Sequence, residues 1–248
     1  MKRQARVRIG TSGWHYDHWI GKFYPDNMKK KNELEFFSEY FDTVEINNSF
    51  YQVPSDKTLN NWQKTVPDDF LFAFKANRYT THMKKLKDPG KSIPTLIHSL
   101  KQLAGNLGPI LFQLPPNFGF NGERLNNFLK ELPEKYNYAF EFRDPDWFRD
   151  ETYQLLSEYN SAFCIYDMPG METPREITAN WVYIRMHGPE KKYEDRYTNH
   201  QLSGWAGALN TWKDQGKDIY CYFNNDKAGY AVENARALKE MLGIKLLK

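Results

Sequence analysis

The sequence has little of what would place it outside ordinary globular proteins. Only 2 of its 248 residues are cysteine, Cys164 and Cys221, each inside an apolar run. That count excludes a disulfide framework and reads both as reduced core residues. No apolar run approaches the ~18 residues a membrane-spanning helix needs. The start of the chain is basic but lacks the apolar stretch and small-residue cleavage site of a secretory leader, so the cytoplasm is the expected compartment. Charge of one sign is also missing. The 34 Lys and Arg against 31 Asp and Glu leave +3, too little to imply nucleic acid by itself. No linker, low-complexity tract or long charge run divides the chain, so one domain over 1–248 is expected. Aromatic residues abound instead: 7 Trp, 16 Tyr and 17 Phe, in a chain of mean hydropathy −0.77. Rings bury so much area that a polar average is compatible with a large core.

Two periodicities alternate along the chain. Short β-branched or aromatic runs occur at 6–10, 43–47, 70–76, 109–114, 138–143, 162–167, 181–187 and 218–223. Helix-period segments lie between most of them, at 32–41, 57–66, 93–103, 123–132, 150–159 and 201–215, and one more at 229–242 closes the chain. The gap at 168–180 is short and carries Pro169, Gly170 and Pro174, so the sixth helix is expected to be short or missing. Eight strand–helix units in this length predict an α/β fold, a parallel (β/α)8 TIM barrel. A doubly wound open sheet would want a glycine-rich phosphate turn after the first strand, and Gly10-Thr11-Ser12-Gly13 does not match it.

Alternation along a strand sends one parity to the helices and the other to the barrel axis. With Phe140 and Phe142 facing out, Glu141 and Arg143 face in; with Val182, Ile184 and Met186 facing out, Tyr183, Arg185 and His187 face in. The same reasoning sends inward Arg8 and Gly10, Thr43, Glu45 and Asn47, Ala73, Lys75 and Asn77, Gln113, and Tyr220, Tyr222 and Asn224. The sixth run is expected to aim Asp167 inward. Charges therefore collect at the strand C-terminal ends, where such barrels carry their sites. Buried charge is costly unless paired or liganded. One outcome is a structural ion network, with Glu45–Lys75 and Glu141–Arg185 pairing across the axis. The other is a functional layer of Asn47, Asn77, Arg143, His187 and Asn224 beside the loops.

These residues fall in recognisable phrases. Gly10-Thr11-Ser12-Gly13-Trp14, the 43–51 segment, Phe72-Ala73-Phe74-Lys75, Thr81-His82, Gln113-Leu114-Pro115-Pro116, Glu141-Phe142-Arg143 with Trp147, Arg185-Met186-His187-Gly188 and Phe223-Asn224-Asn225-Asp226 recur in this order over almost the whole chain. In this the sequence resembles the domain-of-unknown-function-72 family, also called YecE-like. The resemblance implies a TIM barrel of undetermined biochemical function. Family members often carry His after the Glu-Phe-Arg phrase, where this chain has Asp144.

The residues point to an enzyme of hydrolase or phosphoester type, binding a small anionic substrate, phosphorylated or sugar-like, at the C-terminal face. His187, Glu141 and Glu45 are the candidate catalytic groups, with His187 or Glu141 as acid–base. Ser12, Trp14, Asn47, Tyr51, Lys75, Asn77, Gln113, Arg143, Arg185, Asn224 and Asn225 are the candidate substrate-binding residues. Glycines around Thr11 and Ser12 would let backbone N–H groups approach an anion, and Asp226 would cap a helix N-terminus able to hold one. Lys191, Lys192, Tyr193, Arg196 and Tyr197 form a basic, aromatic loop. A standard barrel glycosidase would need acids where Gln113 and His187 stand, so it is not expected. No cofactor is expected. A divalent metal would draw on Glu45, Glu141, Asp167 and His187 with His15 and His82, but the six histidines show no ligand spacing. A nucleic-acid-binding protein of repair type, by analogy with the endonuclease IV barrel, is the second reading. The third is a non-catalytic binding protein whose inward charges are structural. No membrane partner is expected.

Overall fold

A computed structural model describes residues 4–103, 105–191 and 193–245, and Lys192 lies outside them. Eight parallel strands form a barrel: β1 (Val7–Thr11), β2 (Thr43–Ile46), β3 (Leu71–Lys75), β4 (Leu107–Gln113), β5 (Tyr138–Glu141), β6 (Ala162–Met168), β8 (Trp181–Met186) and β9 (Asp218–Phe223). The two-residue β7 (Met171–Glu172) folds back antiparallel on β6. The ladder runs β1-β9-β8-β6-β5-β4-β3-β2. A single parallel bridge, Ser12 to Glu45, joins β1 to β2 and closes the circle. Helices α1 (Glu33–Ser38), α2 (Asp56–Thr65), α3 (Pro89–Ser99), α4 (Gly122–Lys130), α5 (Asp150–Glu158), α6 (Asn199–Asp214) and α7 (Tyr230–Met241) surround it. Between β6 and β8 the chain returns through β7 and an extended segment, as Pro169 and Gly170 dictate. The fold is the (β/α)8 TIM barrel without its sixth helix. Among the described residues no helix is long and apolar enough to cross a membrane.

Local chemistry sets the boundaries. Ser55 caps α2 by accepting from the Thr58 N–H. Thr198 and Gln201 form a reciprocal capping box at the start of α6, which satisfies donors the first turn would leave orphaned. Two buried clusters follow from strand alternation. One lies between strands and helices, with Phe72, Phe74, Phe112, Phe140 and Ile184 against Phe37, Leu59, Leu96, Phe128 and Leu238. The other fills the barrel itself with Ala73, Leu111, Ala139, Cys164, Trp181, Tyr183, Tyr220 and Tyr222. Each fully buried large side chain contributes about 1.5–3 kcal/mol.

The glycine at position 10 belongs to this closure. A Cβ there would lie 2.2 Å from the Thr43 carbonyl oxygen, so only glycine lets β1 approach β2. The Ser12 N–H donates to the Phe223 carbonyl at 2.8 Å, which leaves it unavailable to a ligand.

The sixth strand corrects one parity. Ala162 and Cys164 face the axis while Phe163 and Ile165 face the helices, and Asp167 continues the outer set. It lies beside Trp205 and Tyr197, and burial raises its carboxyl above the usual carboxylate range. The inward place is taken by Tyr166, whose ring lies 6.0 Å from that of His187.

Candidate functional site

The inward charges form one chain of contacts at the C-terminal half of the barrel. Arg185, fully buried on β8, donates from Nη1 to Glu141 Oε2 at 2.6 Å and from Nη2 to Glu45 Oε2 at 2.8 Å. Glu45 also accepts from Ser12 Oγ at 2.7 Å and Tyr183 Oη at 2.8 Å. Glu141 accepts from Arg143 Nε, and Arg143 stacks on the Tyr166 ring 4.6 Å from its centroid. Burial would push the Glu141 carboxyl up, but the Arg143 and Arg185 guanidinia outweigh it and hold the group well below the usual carboxylate range. The expected Glu141–Arg185 pair is therefore present, while Glu45 pairs with Arg185 in place of Lys75. A planar fork spans two carboxylates at once, which a point ammonium does not do. Arg8 stands apart from this layer. It binds the Asp42 carboxylate at 3.0 Å at the opposite end of the barrel.

His187 is buried between Arg143 Nη2, 3.0 Å from its Nε2, and the Asn224 amide, 3.2 Å from its Nδ1. A guanidinium only donates, so Nε2 accepts and the ring carries its proton on Nδ1. The tautomer then requires Asn224 to present its amide oxygen. The Tyr193 ring lies against this histidine at 5.3 Å.

Around the network a partly exposed rim of Asn47, Lys75, Asn77, Gln113 and Asn224 borders the mouth. Lys75 Nζ lies over the Phe50 ring, 4.4 Å from its centroid. Burial first, and then the Arg185 charge, lower its pKa to about 8. Gln113 is in register with Glu141. Asn47 accepts from Arg185 Nη2 at 3.3 Å and also lines a side cavity of about 370 Å³, with Ser12, Trp14, His15, Tyr16 and Trp62 among its walls. A cavity of the same volume lies at the other end, around Tyr136, Asn137 and Ser161. It lacks the paired charges, and the strand C-termini are the face on which such barrels act.

Two predicted site residues hold loops in place. Asn77 uses its side-chain oxygen to accept from the Thr80 N–H at 2.9 Å, fixing the turn after β3. Buried Asn225 donates to the Asp195 carbonyl at 2.8 Å and Asn234 Oδ1 at 2.9 Å, tying two loops together. Tyr51 is 82% exposed on the rim. Asp226 is not a helix cap, since α7 starts after Gly229. Its carboxylate accepts from Trp19 Nε1 at 2.8 Å and contacts His18 Nε2 at 2.9 Å. Of the basic loop, Arg196 pairs with Glu233 at 3.3 Å and Tyr197 is buried. Asp144 accepts from the Asp146 N–H at 3.1 Å, capping a short turn. The residues named as metal ligands are dispersed, with both glutamates on guanidinia, Asp167 turned outward and His15 on another partner.

That partner is what sequence reasoning missed. His15 Nδ1 contacts Glu33 Oε2, a carboxylate buried at the start of α1. The histidine side chain is 50% exposed and lines the side cavity. A loop histidine and a first-turn glutamate 18 positions apart share no periodic signal. The one cue was an acid in a helix's first turn, which reads as an ordinary dipole contact.

Comparison with known proteins places this geometry. The chain is 27% identical to the UPF0759 protein YunF of Bacillus subtilis, over 96% of this chain and 95% of that one. The UPF0759 protein YecE of Escherichia coli is 28% identical over 61% of this chain and 54% of its own length. The crystal structure of a DUF72 family protein from Thermotoga maritima superposes with a TM-score of 0.88 at 28% identity, covering 96% of this chain and 99% of its own. The family model described as protein of unknown function DUF72 matches residues 8–248, from the first barrel strand past the last helix. The chain belongs to the DUF72 family.

Proposed function

We propose that this chain is an enzyme that binds a small anionic, sugar-like molecule at the barrel mouth and moves protons on it. One observation carries the reading. The mouth holds three cationic side chains, Lys75, Arg143 and Arg185, against two carboxylates, and both carboxylates are engaged by the arginines. The surplus positive charge sits at the rim with Lys75, where an anionic group can meet it. Rim amides at Asn47, Gln113 and Asn224 suit hydroxyls, and Trp14 and Trp62 line the side cavity that Asn47 shares.

The proton-transfer roles move. Glu141, held ionised by two guanidinia, is a fixed counter-ion and a poor acid or base near neutrality. His187 has its Nε2 lone pair engaged by Arg143, so it orients that guanidinium. His15 is the exposed imidazole at the cavity, with Nδ1 held by buried Glu33 and Nε2 available. A histidine oriented by a buried carboxylate is suited to acid–base work. A small molecule is favoured over nucleic acid because Arg196 of the basic loop is already paired with Glu233.

Calorimetry with inorganic phosphate and a hexose phosphate tests this. Arg143→Met is expected to weaken binding by about 10–100-fold, the worth of a charge-assisted contact. Binding should soften only gently with salt, whereas a nucleic-acid site would lose affinity steeply. The sugar phosphate should also shift the His15 ring resonances. Unchanged phosphate affinity in Arg143→Met would sink the reading.

A further inference from the structure

We propose that Lys75 captures the carbonyl carbon of a small anionic aldehyde or ketone as an imine. This rests on the anion-binding reading above and names the substrate class of that same site.

The geometry is that of an amine kept free for chemistry. Lys75 ends β3 inside the mouth, and its backbone carbonyl is fixed by Ser49 Oγ at 2.7 Å. Among the described residues no carboxylate lies within ion-pair distance of its ammonium, because Arg185 and Arg143 engage both Glu45 and Glu141. The Phe50 ring lies under Nζ at 4.4 Å, and the His82 ring packs on the same phenyl at 4.8 Å. Other lysines differ. Lys84 and Lys227 pair with Asp88 and Glu194. Lys239 is buried too, but it donates to the Tyr40 carbonyl at 3.0 Å, just ahead of β2 and away from the strand C-terminal ends. Burial, together with Arg185 and Arg143, lowers the Lys75 pKa to about 8 against the pull of Glu141 and Glu45. At neutral pH it therefore holds about 300-fold more free amine than an ordinary lysine.

The step balances without an oxidant or reductant. The Nζ lone pair forms a bond to the carbonyl carbon while the C=O π pair moves to oxygen. Both amine hydrogens leave with that oxygen as water, and the carbon–nitrogen double bond remains. Hydrolysis reverses it. The imine draws electrons from the neighbouring carbon, which makes a proton or carbon–carbon bond there labile. The anionic group of the same molecule would lie beside Lys75 at the rim, in the net positive field that Arg143 and Arg185 sustain.

The test uses the full-length wild-type chain with glyceraldehyde 3-phosphate, or with glyceraldehyde, under cyanoborohydride, followed by peptide mapping. Lys75 should be trapped by the phosphorylated aldehyde at least about tenfold faster than any other lysine, and Lys75→Arg should lose that adduct. Labelling spread evenly over surface lysines, with Lys75 no faster, overturns the imine even if calorimetry still finds a phosphate site. Equal labelling of Lys75 by both aldehydes keeps the imine and removes the anion site. Mapping on the wild type needs no variant to fold.

Discussion

The lower and upper halves of the barrel interior are filled in opposite ways by the same strand parity. Below, Trp181, Tyr220, Tyr222, Cys164, Ala73 and Ala139 pack as a ring-and-small-residue core, with Tyr222 Oη meeting Thr43 Oγ1 at 2.7 Å. Above, Glu45, Glu141, Arg143, Arg185 and His187 occupy equally buried positions and hold one another by directed contacts. Non-directional burial tolerates rearrangement, but a buried ion network fails as a unit when one member is lost. The lower half therefore makes the barrel stable. The upper half fixes a set of directed pairings, and among the described residues no carboxylate lies within ion-pair distance of its member Lys75.

That contrast breaks most severely at Arg185. Its replacement by Met strips buried Glu45 of its cation and leaves Glu141 with Arg143 alone, which should cost about 3–5 kcal/mol in urea unfolding. A loss under about 1 kcal/mol would mean the network relaxes into water. Lys75→Met should act the other way. Its folded pKa, about 8, lies below the unfolded value of 10.5, so at pH 7 its charge disfavours the folded state. The substitution should stabilise the chain by about 2 kcal/mol near neutrality, discounted for partial exposure. The gain should shrink as pH rises through 8 and vanish near 10.5, which urea melts across that range would read. The smallest effect is expected where the halves touch. Tyr183 keeps its ring in the lower core and donates to Glu45, so Tyr183→Phe should cost about 1.5 kcal/mol. A larger loss, matching Arg185→Met, would show that the ring and the ions form one cooperative unit.

The fold was readable because every barrel strand is buried on both faces, so period and parity survive in the residue order. Glu45, Glu141, Arg143, Arg185 and His187 were legible together for that reason. Their pairing was not, since two acids and three bases of one parity allow several matchings and only the reach of the Arg185 fork selects one. Strand six misled because a charge at its end outweighed alternation in the reading, although Phe163 and Ile165 already set Asp167 outward. Asn77 and Asn225 read as site residues because an amide at a strand end serves a turn as readily as a ligand. The His15–Glu33 contact joins a loop to a helix start and leaves no trace in either periodicity.

The closure of the barrel carries a consequence of its own. The β1–β2 seam is a single residue bridge, Ser12 to Glu45, beside a glycine whose missing side chain permits the approach. A sheet closed this lightly hides two strand edges that are complete templates for pairing with another chain. Any side chain at position 10 would press on the Thr43 carbonyl and part them, pulling Ser12 from Glu45 and uncovering backbone groups open to pairing with another chain. Gly10 therefore keeps two strand edges covered as well as setting the barrel's shape.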